Sequence, residues 1–431
     1  MPTINGNNNA NAITGTLLDD LIYAHRGNDT VSAGGGADFV DGGAGHDTLY
    51  GDAGADTLLG GEGNDGLYGG ADNDVLNGGD GLDWAVYTGG GAVTVNLTSG
   101  VATGQGVDTL ISIEKVFGSS FADTITGNAL ANRLEGGDGD DFFFATAGYD
   151  EIVGGAGADT LSYANVSGAV SAQLGAGSGI GGWSNGTIQS VENLIGSAFA
   201  DHLVGDAGAN RIDGGGGDDR LFGNQGADTL VANGGSDELT GGDGADVFVV
   251  GTGATAVTVT DFGANGAADV IDLTAFGFNS AGQSAYWTAS AAQTGPNYVM
   301  TLTGQLGEVT TLTLRNVSAQ SLSPSHFVNG PATLLPPPPS AGNGVADDFV
   351  IVAEPGGCVV INGFEDGLDQ LDLTAMGFDS NFESPDWFGY PMQSGADTLL
   401  RFWDGQGEYF EVVLTGFDVN NLDISDFILG A

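Results

Sequence analysis

The residues of this chain best placed to do chemistry are aspartates held in a strict register. In residues 42–70, GGAGHDTLYGDAGADTLLGGEGNDGLYGG, Asp47, Asp56 and Asp65 recur at every ninth position. Each follows a run of glycines and is followed two residues later by a leucine: Leu49, Leu58 or Leu67. Carboxylates stacked about 5 Å apart repel by about 0.8 kcal/mol in bulk water and by about 3 kcal/mol at an effective dielectric of 20. Repeated along a column, that repulsion rivals the ~5–15 kcal/mol by which a whole domain is stable. Basic side chains cannot cancel it, because the chain has only 7 Lys and Arg against 56 Asp and Glu. A hard divalent cation bound by carboxylates and backbone carbonyls can. A site of six to eight flexible oxygen ligands suits Ca²⁺ better than Mg²⁺.

The elements that must position these carboxylates follow from the nonapeptide itself. Its last three residues (TLY, TLL, GLY) have the two-residue alternation of a short strand, with the middle side chain pointing inward. Its first six are glycine-rich and permit the positive φ of a tight turn. A loop plus a short strand is half a turn of a parallel coil, so alternate nonads stack about 4.8 Å apart. Nine contiguous nonads cover residues 6–86, with Asn11, Asp20, Asp29, Asp38, Asp47, Asp56, Asp65, Asp74 and Asp83 at position six. Five more run from 118 to 162 (Asp123, Asn132, Asp141, Asp150, Asp159) and six from 196 to 249 (Asp201, Asn210, Asp219, Asp228, Asp237, Asp246). The candidate metal ligands are Asp29, Asp38, Asp47, Asp56, Asp65, Asp74, Asp83, Asp123, Asp141, Asp150, Asp159, Asp201, Asp219, Asp228, Asp237 and Asp246.

A longer repeat overlies the short one. GSSFADTITGNALANRLEGGDGDD at 118–141 returns as GSAFADHLVGDAGANRIDGGGGDD at 196–219. Inserts without nonads, residues 87–117 and 163–195, precede the two copies and carry strand-like runs such as AVTVNL and DTLISIEKVF. VTDFGANGAADVIDLTAFGF at 259–278 parallels INGFEDGLDQLDLTAMGF at 361–378, so 250–330 and 341–431 read as two versions of one unit. The expected fold is all-β: a parallel β-roll in three blocks with strand inserts, followed by two β-rich cap-like units. The expected domains are 1–86, 87–162, 163–249, 250–330 and 341–431, with the proline-rich 331–340 as a semi-rigid linker.

GGxGxDxUx resembles the calcium-binding repeat of the RTX (repeats-in-toxin) proteins. That resemblance implies a β-roll with Ca²⁺ in its turns and export by a type I secretion system through an uncleaved C-terminal signal. Residues 250–330 and 341–431 are similar to the C-terminal cap of serralysin-type proteins. LDISDFILGA, with Asp423, Asp426, Phe427, Ile428 and Leu429, looks like the acidic-then-hydrophobic tail of those export signals. The sequence departs from the pattern at Asn11, Asn132 and Asn210, where weak or absent calcium is expected, and in carrying the cap-like unit twice.

Composition narrows the functions. A formal charge of −49 argues against nucleic acid or an anionic membrane as partner. Yet 41% hydrophobic residues supply a core, against the disorder that such acidity otherwise suggests. The single Cys358 rules out an intrachain disulfide. MPTINGNNNANAITG has no basic or apolar region of a Sec-type signal, and no apolar run is long enough to span a bilayer.

Catalytic signatures are missing. His25, His46, His202 and His326 are scattered and form no HExxH; there is no GxSxG. Pairs such as Asp140–Asp141 and Asp218–Asp219 sit inside nonads and read as loop or calcium residues rather than glycosidase acids. The expectation is a non-enzymatic, secreted, extracellular or cell-surface protein. It would self-assemble as an S-layer-like layer, filament or adhesin, with itself and the type I secretion machinery as partners and a cell-surface polysaccharide as a further candidate. The alternative is a roll module attached to a secreted hydrolase or epimerase, or a carbohydrate-binding adhesin. Outward positions add Leu21, Tyr23, Phe39 and Leu59 on one face and Tyr50, Tyr68, Trp84 and Val86 on the other. Those apolar groups call for cover from the inserts, the caps or another subunit.

Overall fold

The computed structural model describes residues 1–175, 186–264, 268–278, 287–322 and 324–328, and beyond these a set of backbone strands between Asp348 and Ile428. The chain divides into two units, Met1–Ile271 and Asp272–Ala431. The fold is all-β, a parallel β-solenoid of about 14 turns. Among the described residues no helix is long and apolar enough to cross a membrane.

In the first unit the strands are three to nine residues long and the pairing steps by two nonads. Thr48, Leu49 and Tyr50 lie beside Gly66, Leu67 and Tyr68, and Thr57, Leu58 and Leu59 beside Val75, Leu76 and Asn77. Odd and even nonads therefore build two parallel sheets. One runs through Leu21–His25, Phe39–Ala44, Thr57–Glu62 and Val75–Asp80; the other runs through Thr30–Ser32, Thr48–Tyr50, Gly66–Tyr68 and Trp84–Val86. Each strand buries its middle residue and leaves the flanking pair half-exposed. Ile22, Val40, Leu58 and Leu76 from one sheet, and Val31, Leu49, Leu67 and Ala85 from the other, are fully buried. The aliphatic column of the sequence is the core of the coil.

The turns are close-packed backbone on backbone. Gly45 has φ +150°, and a Cβ there would overlap the Gly27 carbonyl one coil earlier. Only glycine fits, because successive loops stack without room for a side chain.

The inserts carry the pairing from one block to the next. Val107–Ile111 extends the sheet beside Val75–Asn77. Val101–Thr103 then runs antiparallel, and Thr94–Asn96 lies parallel to Thr124–Thr126 of the second block. On the other sheet Lys115–Phe117 lies between Trp84–Val86 and Arg133–Glu135. In the second insert Thr187–Gln189 pairs with Glu151–Val153, and Asn193–Ile195 sits between Thr160–Ser162 and Arg211–Asp213. Ser171–Gln173 pairs with His202–Val204. The apolar insert residues Val95, Val116, Ile188 and Leu194 are as buried as those of the nonads.

Outward side chains of the first unit partly cover one another. The rings of Tyr50 and Tyr68 stack at 4.4 Å and those of Tyr23 and Phe39 meet at 6.0 Å. The cations of Lys115 and Arg133 lie 5.4 and 5.9 Å from the Trp84 ring, and Arg133 also pairs with Glu135 and Glu151.

The second unit holds two similar sets of strands. Trp287–Thr294, Asn297–Gly304 and Val309–Leu314 form an antiparallel meander that buries Met300, Leu302, Leu312 and Leu314. About a hundred residues later Phe388–Ser394, Asp397–Trp403 and Tyr409–Thr415 repeat it. The repeat extends further: Val247–Val250, Ala254–Val259, Val270–Asp272 and Phe327–Val328 have counterparts in Asp348–Val350, Cys358–Asn362, Gln370–Asp372 and Phe427–Ile428. The duplicated segment thus includes a copy of the last roll strand. The proline-rich 331–340 and the tail residues Asp423, Asp426 and Leu429 lie outside the described residues.

Replacing Leu58 by Ala is expected to cost about 2–5 kcal/mol, as for other fully buried leucines. Thr57→Ala, on the outward face, should stay within about 0.5 kcal/mol. Urea unfolding in millimolar Ca²⁺ measures both.

Candidate metal centre

Folding brings the position-six aspartates into two columns, one along each edge of the coil. Within a column each backbone N–H donates to Oδ1 of the aspartate one coil later. Asp38 donates to Asp56 at 2.7 Å, Asp56 to Asp74 at 2.8 Å, Asp47 to Asp65 at 2.8 Å and Asp65 to Asp83 at 2.7 Å. The same link joins Asp141 to Asp159 and Asp228 to Asp246. One carboxylate oxygen is thereby fixed by the backbone.

The other oxygen is left over. Oδ2 of Asp29, Asp38, Asp47, Asp56, Asp65, Asp74, Asp83, Asp141, Asp159, Asp219, Asp228, Asp237 and Asp246 is buried with no hydrogen-bond partner, and every one of these residues is at most 3% exposed. A buried carboxylate oxygen without a partner costs several kcal/mol unless something positive meets it. Carbonyl oxygens converge on the same spot. A Cβ on Gly42 would lie 2.6 Å from Asp47 Oδ2 and 2.8 Å from the Gly60 carbonyl oxygen. At Gly51, Gly60 and Gly223 a Cβ would likewise collide with an aspartate Oδ2 and the carbonyl of the next coil's glycine. Glycine keeps this cradle open.

This donor set fits a calcium ion. Among the described residues no three His, Cys, Asp or Glu side chains converge as a metal cluster, and none is needed. Each coil supplies one carboxylate oxygen per edge, and carbonyl oxygens, which calcium accepts readily, complete the shell. Burial also shows in the acidities. It pushes Asp56, Asp141 and Asp219 up to about 7 and Asp65, Asp74, Asp159, Asp228 and Asp237 up to about 6, against the opposing pull of the backbone N–H. Neighbouring acids raise them further.

Not all position-six residues are left wanting a cation. Ser or Thr replaces the second glycine at four turns and engages the carboxylate locally, although Oδ1 of Asp20 stays buried with no hydrogen-bond partner. Thr16 reaches Asp20 Oδ2 through its N–H at 2.6 Å and its hydroxyl at 2.9 Å. Ser119 N–H donates to Asp123 Oδ2 at 2.5 Å and its hydroxyl to Oδ1 at 2.8 Å. Thr146 donates to Asp150 at 3.1 Å, and Ser197 serves Asp201 through both groups. Both oxygens of Asp123, Asp150 and Asp201 are therefore engaged, the second by a backbone N–H from one coil before. At Asn132 and Asn210 the side chain is engaged at both ends: Oδ1 accepts from the N–H of Asn128 and of Asp206, and Nδ2 donates to the Glu114 and Glu192 carbonyls.

The columns also contain acids outside the nonads. Asp108 accepts from Asp74 N–H at 3.0 Å, Glu114 from Asp83 at 3.1 Å, Glu192 from Asp159 at 2.8 Å and Asp269 from Asp246 at 3.0 Å. A signal for them exists in the sequence. Each begins an acid-x-aliphatic triplet (Asp108–Leu110, Glu114–Val116, Glu192–Leu194, Asp269–Ile271) like that of Asp47–Leu49, without the glycine-rich half.

A parallel β-roll with glycine cradles and buried, half-satisfied carboxylates on both edges is a calcium-binding repeat protein. The chain carries RTX calcium-binding nonapeptide repeats: that family, as a four-copy repeat, matches residues 14–49, 50–85, 117–152, 135–165, 195–230 and 222–255. RTX repeat proteins are typically secreted. A comparison with curated proteins finds no match. Among solved structures, the AlgE6R3 subunit of the Azotobacter vinelandii mannuronan C5-epimerase is 27% identical with a TM-score of 0.24, covering 34% of this chain and 83% of that one. The extracellular lipase LipA of Serratia marcescens is 15% identical with a TM-score of 0.18, covering 76% of this chain and 40% of its own.

The two kinds of turn predict two responses. Asp56→Asn should raise the calcium concentration needed for half-maximal folding about tenfold or more, equivalent to ~1.4 kcal/mol. Asp150→Asn, at a turn closed by Thr146, should change it by less than about twofold. A calcium titration followed by circular dichroism reads both.

Acidity gives a second test. Asp56, Asp141 and Asp219 are raised from 3.8 to about 7 in the folded roll, so between those values the folded state binds more protons than the unfolded one. Stability without calcium is then greatest below about pH 4 and is lost as pH rises through 6 to 7. In calcium-stripped buffer the strand signal should fall between pH 4.5 and 7.5; a signal that rises over that interval contradicts the burial described.

Proposed function

We propose that the protein is a secreted structural protein of the cell surface or extracellular matrix that folds on meeting extracellular calcium and then assembles with itself, as a layer, filament or adhesin, without enzymatic activity. The observation that carries this reading is the second unit. Asp348–Val350 copies the last strand of the roll, and among the described residues it pairs only with Gln370–Asp372. Open strand edges recruit further strands unless covered, and an edge of this kind supports association between copies.

Calcium would time the assembly. Extracellular calcium modules bind at about 10⁻⁴–10⁻³ M, so the roll stays unfolded in a low-calcium cytosol, which suits passage through a type I exporter. Residues 341–431 serve this reading twice, as the export signal and as the connector between molecules. The half-exposed rings of Tyr50, Tyr68 and Trp84 on one sheet favour a cell-surface polysaccharide as an additional partner, since aromatic faces suit the apolar faces of sugar rings.

Deleting 331–431 and supplying calcium in vitro bypasses export and tests the connector directly. Light scattering and electron microscopy should find the full chain assembled and the truncated chain monomeric. Equal assembly by both, or by neither, would remove the connector role.

A further inference from the structure

We propose that each insert builds a calcium site of its own, closed by a Ser-x-Glu turn: Asp83 with Ser112 and Glu114, and Asp159 with Ser190 and Glu192. This rests on the reading of the columns as calcium sites and extends it to residues outside the nonapeptides.

Two occurrences carry the argument. Asp83 and Asp159 are the last position-six aspartates before an insert, each fully buried with an unpartnered Oδ2. In an ordinary coil that oxygen shares its cradle with the carbonyl of a glycine thirteen residues on, as Asp65 Oδ2 does with Gly78. No nonad follows here. Instead the Ser112 carbonyl meets Asp83 Oδ2 at the open face of Gly78, and the Ser190 carbonyl meets Asp159 Oδ2 at that of Gly154. A weak bond from Gly155 N–H, 3.3 Å long, also touches Ser190 O and leaves it a free lone pair.

Both serines are left-handed, at φ +49° and +48°, a conformation rare for residues other than glycine, asparagine and aspartate. Strain of this kind, repeated in two inserts, marks a turn held for a purpose. Two residues later the glutamate replaces the aspartate of the column. Glu114 Oε2 accepts from Asp83 N–H and Glu192 Oε2 from Asp159 N–H. The Ser-x-Glu turn spans two residues where the nonad loop spans five, and the longer side chain reaches the same backbone donor from that shortened turn.

The next coil carries an amide in place of an acid. Asn132 and Asn210, eighteen residues beyond the glutamates, each turn an amide toward the glutamate's own carbonyl. The column resumes beyond them, where Asn132 N–H donates to Asp150 and Asn210 N–H to Asp228. The insert site lies between two nonad blocks of its column, supplied by a carboxylate oxygen of the roll, a serine carbonyl and a glutamate, all hard oxygen donors suited to Ca²⁺. The two instances lie on opposite edges of the coil, so neither is a by-product of the other's packing.

Native mass spectrometry of the full chain in calcium counts the ions. Glu114→Gln keeps an oxygen to accept the Asp83 N–H and removes only the charge, as does Glu192→Gln for Asp159. Each variant should carry one calcium fewer than the wild type, and the double variant two fewer, with strand content preserved by circular dichroism. Unchanged counts in folded variants overturn the assignment. Should a Gln variant fail to fold at ordinary calcium, excess calcium decides: strand content restored with one ion fewer supports the assignment, and strand content restored with the wild-type count overturns it. A wild type that binds no calcium at all would instead defeat the underlying calcium reading, a result distinct from either.

Discussion

The structure depends on one unsatisfied interaction, a buried carboxylate oxygen with nothing to accept. It recurs along both edges of the roll because the coil advances by eighteen residues and returns each aspartate to the same place. One oxygen holds the coil before it through a backbone N–H. The second faces a cradle that glycine leaves open and that carbonyls line. Without a cation the column must take up protons, which is why burial drives the acidities of Asp56, Asp141 and Asp219 toward neutrality. With calcium the same oxygens become ligands. Charge that would expel the loops from the protein interior then ties one loop to the next.

The aliphatic column is the complement of this arrangement. A coil only two short strands across has a core about one side chain thick, so Leu49, Leu58, Leu67 and their neighbours bury fully but contact few layers. Hydrophobic burial sets the register and the cations hold it. The inserts follow the same rule. They lack glycine-rich loops, yet they place Val116 and Leu194 in the core and Glu114 and Glu192 in the acid columns, so the coil passes through them.

Much of this was legible in the sequence, because a period of nine is a local property and dictates the stack. The aspartate columns, the inward Leu, Val and Ile and the two-nonad coil all follow from it. The cap-like duplication was legible between 259–278 and 361–378, though its extension back to a copied roll strand was not. Two features escaped for physical reasons. The column acids Asp108, Glu114 and Glu192 act across separations of 31 to 34 residues, which no short-period pattern captures once the glycines are gone. Nor does the spacing distinguish a metal turn from one closed by its own hydroxyl. Asp123 and Asp141 occupy the same nonad position, yet Ser119, in place of a glycine, closes the first turn through its N–H and hydroxyl. Counting aspartates therefore overstates the number of turns with a vacant oxygen, and counting nonads misses the acids that the inserts contribute.

If calcium is what makes the roll foldable, the decisive measurement is circular dichroism of the full chain at neutral pH, first with calcium chelated and then at millimolar concentration. The account predicts a largely unstructured spectrum that converts cooperatively to strand as calcium is added and reverts on chelation. A strand spectrum that is the same with and without calcium would contradict it.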